Sequence, residues 1–90
     1  MPGASFHRLA ERELHDAAQF YELEMSGLGA AFLTEVERSL DLLMEHPEAG
    51  VSLGSGVRRC LVRRFPYGIL YAVRGGQLRI LAVMNLMRRP

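Results

Sequence analysis

The chain reads as an α+β domain of the following kind: an antiparallel β-sheet with an N-terminal helical hairpin packed on one face. Three observations predict it. Apolar positions recur every three or four residues up to about residue 46 and every second residue from about 57 onward. A Gly75-Gly76 pair separates two apolar runs, as a two-residue hairpin turn requires. Ninety residues support one thin core, so residues 1–90 are read as a single domain.

Residues 4–8, Ala-Ser-Phe-His-Arg, are compatible with a brief strand because Phe6 lies between polar neighbours. From there Ala10, Leu14, Ala17, Ala18, Tyr21 and Met25 share one helical face, which predicts a helix from about Leu9 to Met25. Ser26, Gly27 and Gly29 interrupt it. Leu28, Phe32, Val36, Leu40 and Leu43 then mark a second helix, with acidic side chains mostly opposite. It ends near Glu45 or His46, because Pro47 disfavours helical geometry in the residue before it. So short a connection makes the two helices antiparallel.

Gly50 to Gly56 reads as a loop. Strands are expected over Val57–Phe65, Tyr67–Arg74 and Gln77–Met84, which are rich in β-branched and aromatic residues. If Arg74 opposes Gln77, then Tyr71 faces Ile80 and Ile69 faces Ala82. One face would then collect Tyr67, Ile69, Tyr71, Val73, Leu78, Ile80, Ala82 and Met84 for the helices to cover. The other would hold Gly68, Leu70, Ala72, Arg74, Arg79, Leu81, Val83 and Asn85. A two-residue turn before Tyr67 sends Cys60 and Val62 toward the helices and Arg59, Leu61 and Arg63 to the open face. Two helices cannot cover both faces, so Leu61, Leu70, Leu81 and Val83 are candidate partner-binding residues, awaiting a second chain or another copy of this one.

Apolar residues at 49% and charged residues at 23% are ordinary for a globular protein, which argues against disorder. The longest apolar runs, Ile69–Val73 and Ile80–Met84, are far short of the roughly 18 to 20 residues of a membrane helix. No basic and apolar leader opens the sequence, so a cytoplasmic location without membrane contact is expected. Cys60 is alone, and His7, His15 and His46 have no metal-ligand spacing around it, so neither metal nor cofactor is expected.

Charge divides the chain. The first 48 residues hold all ten acids and three arginines, a net −7, whereas the remainder holds eight arginines and no acid, a net +8. Either the basic half meets an anionic partner, or acidic helices neutralise a basic sheet within the monomer. Every basic residue is Arg, whose planar fork suits phosphate and carboxylate. Arg58 and Arg64 read as rim residues paired with acids such as Glu22 or Glu24.

The segments GLGAAFLTEVERSLDLLMEHP (27–47) and VRRCLVRRFPYGILYAVRGGQLRILAVMNLMRRP (57–90) resemble the RelE/ParE superfamily of toxins from bacterial type II toxin–antitoxin modules, also known as plasmid-stabilisation proteins. The Arg-Arg-Phe-Pro-Tyr turn, the Tyr71 strand and the Asn-x-x-Arg-Arg-Pro ending carry most of the resemblance. It implies a growth-inhibiting toxin held inactive by a cognate antitoxin. It leaves open whether the chain binds DNA gyrase or cuts ribosome-bound messenger RNA.

RNA cleavage through the 2′-hydroxyl needs proton-transfer groups and cations for the charged phosphorane. Arginines supply the cations, and Arg59, Arg63, Arg79, Asn85, Arg88 and Arg89 are the target- or nucleic-acid-binding candidates. No His, Asp or Glu follows Glu48. Many relatives carry His where this chain has Asn85, and an amide is no ordinary acid or base. Many also continue with an aromatic tail beyond the Arg-Arg-Pro that ends here at Pro90. Inhibitory binding is therefore favoured, catalytic residues stay unassigned, and ribosome-dependent endoribonuclease activity is the alternative. A third reading is an inactivated relative that only binds antitoxin and operator.

Overall fold

A computed structural model of the chain describes residues 3–87. A short strand β1 (Ala4–Phe6) leads into helices α1 (Arg8–Glu24) and α2 (Leu28–Glu45). Four strands follow: β2 (Val51–Gly54), β3 (Val57–Leu61), β4 (Tyr67–Arg74) and β5 (Gln77–Asn85). They form one five-stranded sheet in the order β1-β5-β4-β3-β2.

Both helices are capped at their N-termini. His7 caps α1 by accepting the Leu9 N–H on Nδ1 at 3.1 Å. Gly27, at φ 88°, has no side chain to cap α2, and Glu22 reaches across from α1 instead. Its carboxylate accepts the N–H groups of Gly27 (2.9 Å) and Gly29 (3.1 Å), placing negative charge at the positive end of the α2 dipole. Both helices bury one stripe, Ala10, Leu14 and Ala17 from α1 and Phe32, Val36, Leu40 and Leu43 from α2. These meet Val62, Phe65, Tyr67, Ile69, Tyr71, Leu78, Ile80 and Val83. Tyr21, Phe32, Phe65 and Tyr67 form an aromatic cluster with centroids 4.9–6.0 Å apart, edge-on except for the tilted Tyr21–Phe32 pair.

The sheet corrects the expected one in four respects. It is mixed, because β1 runs parallel to β5 and pairs Ser5 with Arg79. Val51–Gly54, expected as loop, pairs antiparallel with β3. The strand expected over Val57–Phe65 stops at Leu61, and Arg63–Pro66 form a turn closed by the Val62 N–H donating to the Tyr67 carbonyl at 2.9 Å. Finally, β5 carries a bulge.

Gly75 and Gly76, at φ 59° and 76°, set Arg74 opposite Gln77 and Tyr71 opposite Ile80, as expected. Beyond that point Leu70 opposes Ala82, so Leu81 has no partner across the strand. One extra residue reverses the parity of everything after it. Val83 consequently opposes Ile69 and enters the core at 2% exposure, while Ala82 and Met84 turn to the open face. Asn85 opposes the core residue Tyr67 and so takes the helix-facing side. The placements of Val83 and Asn85 on the open face are thus overturned. Glu13 accepts the Val83 N–H at 3.0 Å, closing the β5 edge where β1 has already ended.

Candidate partner-binding face

The uncovered side of the sheet is built from strand register. One row runs Val51–Arg59–Leu70–Ala82, the next Leu61–Gly68–Met84, and a third places Ser5 and Ala72 on either side of Arg79. Leu61, at 59% exposure, Met84 and the following Leu86 and Met87 are the large apolar side chains left most open at this end. Leu70 and Leu81 are only half exposed. Sequence reasoning missed Val51 and Met84. The Val-Ser-Leu alternation at 51–53 was a signal for the first, whereas the bulge that exposes Met84 leaves none.

The arginines have separate roles. Arg59 opposes Leu70 on this face, with its Cγ and Cδ beside Gly68 and Leu86. Its Nε is covered and, among the described residues, finds no acceptor. Arg79 donates from Nη1 to the Ser5 hydroxyl at 3.3 Å. Arg63 lies exposed in the turn after β3 rather than in a strand. Arg88 and Arg89 fall outside the described residues. Arg58 is on the other side, donating to the carbonyls of Gly50 (2.8 Å) and Glu48 (3.3 Å). Arg64, at φ 72°, lies 3.8 Å from the Glu35 carboxylate and over the Phe65 ring. The acid that meets the turn is therefore Glu35, which also bonds Arg38 at 3.2 Å, and not Glu22 or Glu24.

Groups able to move a proton are scarce here. The Tyr71 hydroxyl donates to the Pro47 carbonyl at 2.6 Å and accepts the Gly50 N–H at 2.9 Å. Tyr67 is buried in the aromatic cluster. Burial pushes the Cys60 thiol up, with the Ser39 hydroxyl opposing the shift weakly, so little thiolate forms at neutral pH. Burial also raises Tyr21, with Tyr67 adding to the effect. Asn85 accepts the Met87 N–H on Oδ1 at 2.9 Å, which turns the chain after β5. A cleft of about 270 Å³ lined by Pro47, Glu48, Arg58 and Tyr71, among others, lies below the usual size of a small-molecule site.

An uncovered, basic and apolar sheet beside an acidic helical hairpin is the setting in which comparison with known proteins decides. The family of the ParE toxin of type II toxin–antitoxin systems, parDE, matches residues 4–89. The chain belongs to the ParE toxin family. A solved chain from the chromosomal ParDE TA system of P. aeruginosa is similar in fold, with a TM-score of 0.79 at 18% identity, covering 93% of this chain and 95% of that one. No curated protein sequence matches this ParE-family chain. Among its described residues no helix is long and apolar enough to cross a membrane.

Proposed function

We propose that this ParE-family toxin inhibits growth by binding an essential cytoplasmic target, DNA gyrase, and that a cognate antitoxin neutralises it by covering the open sheet face. The observation that carries the reading is the separation of arginines from proton-transfer groups. Arg59 and Arg79 share the open face, whereas Tyr67 and Tyr71 are buried on the helix side and no His, Asp or Glu follows Glu48. Such a face holds anions and apolar side chains well, and its strands bring no His, Asp or Glu side chain to relay a proton. Apolar area beside fixed cations is also the composition of a protein-binding surface. Homodimerisation through the same face is the competing use of it.

The test is a supercoiling reaction with purified gyrase, relaxed plasmid and the purified chain. Supercoiling falls as the chain is added and recovers when the antitoxin encoded beside it is supplied. Unimpaired supercoiling at chain concentrations that arrest growth in cells overturns the gyrase assignment.

A further inference from the structure

Arg59 is the one side chain, among the described residues, with a buried polar atom that has no hydrogen-bond partner. Such a group is rare in a folded chain, because a covered donor gives up its bond to water and gains none in return, a loss greater when it is charged. Its setting is specific. Val51 and Leu70 flank it in the row across the sheet, and its stem lies over Gly68 beside Leu86. The stem passes close over Gly68, where a Cβ would lie 3.4 Å from Arg59 Cγ and Cδ and 3.3 Å from Leu86 Cδ2. No Asp or Glu side chain occurs from residue 49 onward to satisfy the guanidinium from the same half of the chain.

We infer that Arg59, bedded on Gly68, is a preformed anchor for a carboxylate on the antitoxin, an Asp or Glu set between apolar side chains that cover Leu61, Leu70 and Met84. The inference rests on the proposed antitoxin-covered face and names the chemistry that recognises it. A cation held among apolar side chains gains more from one desolvated carboxylate than an exposed arginine does, because the surroundings screen the pair less. Nε itself is covered, so a carboxylate engages the two terminal nitrogens of the planar fork with both oxygens. A phosphate chain is the poorer occupant, since Leu61, Leu70 and Met84 would be left facing a polar backbone.

Calorimetric titration of the purified chain with the antitoxin encoded beside it tests this, together with thermal melting of each free variant. Arg59→Met removes the covered donor but keeps the stem, so the free chain melts no lower than wild type while antitoxin affinity falls roughly tenfold or more. Arg59→Lys keeps the charge without the fork and rescues only part of that loss. Arg8→Gln changes nothing. Equal affinity of wild type and Arg59→Met overturns the inference and leaves the antitoxin reading intact. A parallel fall in melting temperature and affinity on Arg59→Met also overturns it, by showing a structural role. If the wild-type chain itself does not bind, the broader reading falls. Arg59-dependent binding of an oligonucleotide in place of the antitoxin assigns the anchor to phosphate and refutes it as well.

Discussion

The Tyr71 hydroxyl and the Gly50 N–H meet at 2.9 Å, and the same hydroxyl donates to the Pro47 carbonyl at 2.6 Å. A phenol that a nuclease reading would enlist for chemistry is thereby a strap between β4 and the chain leaving α2. Gly50 fits because a Cβ there would meet the Tyr71 oxygen at 2.6 Å and the Arg59 carbonyl at 2.8 Å. Tyr71→Phe leaves both partners unmet in a buried place and should destabilise the chain by about 1–3 kcal/mol. Urea unfolding checks the loss. Growth arrest per folded molecule should be unchanged, and its disappearance in a still-folded variant would return Tyr71 to the chemistry.

The helices meet as closely at Gly29, where a Cβ would come within 2.5 Å of the Ala18 carbonyl. Backbone cannot move aside there as a side-chain tip can. Gly29→Ala should therefore cost about 1–3 kcal/mol despite the better helix propensity of alanine. Glu22→Ala, which strips the cap from α2, should cost about 0.5–2 kcal/mol. Thermal melts of the two variants give both figures.

The bulge at Leu81 separates two aspartate substitutions that a regular strand would make equivalent. Val83→Asp buries a carboxylate in the core and should leave no folded protein by circular dichroism. Leu61→Asp, on an exposed position of the open face, should fold normally and fail to bind the antitoxin in size-exclusion chromatography. A folded Val83→Asp variant would place the bulge elsewhere.

Asn85 opposes Tyr67 and uses its Oδ1 on the Met87 N–H, away from Arg59 and Arg79. Asn85→His should therefore confer no RNA cleavage at any pH around the roughly 6.5 at which histidine titrates. Instead it should lower the melting temperature by loosening the turn after β5. Cleavage that rises through that pH range would show that position 85 does reach the arginines.

The open face was legible in sequence only as far as local signals carry. Gly75-Gly76 fixes the Tyr71–Ile80 register because a two-residue turn leaves no slack. Arg59, Leu61 and Leu70 come out on the expected side because the longer Arg63–Pro66 turn keeps the parity of a two-residue one. From Ile80 to Met84 every residue is apolar, so neither parity is marked and the bulge that buries Val83 and exposes Met84 has no sequence signature. The parallel pairing of β1 with β5 joins segments some seventy residues apart through three residues, and no local pattern announces it. The Arg59 bed was equally hidden, since it depends on Gly68 and Leu86 arriving beside one stem.

The central claim is that this ParE-family toxin acts by holding a target rather than by cutting RNA. Primer extension on a defined messenger RNA, in a reconstituted translation reaction free of contaminating nuclease, tests it most directly. With the wild-type chain added at growth-arresting concentration, the account predicts full-length extension products and no codon-dependent stops. Strong stops at particular codons, present only with ribosomes and the unaltered chain, would contradict it and assign the open-face arginines to phosphoryl chemistry.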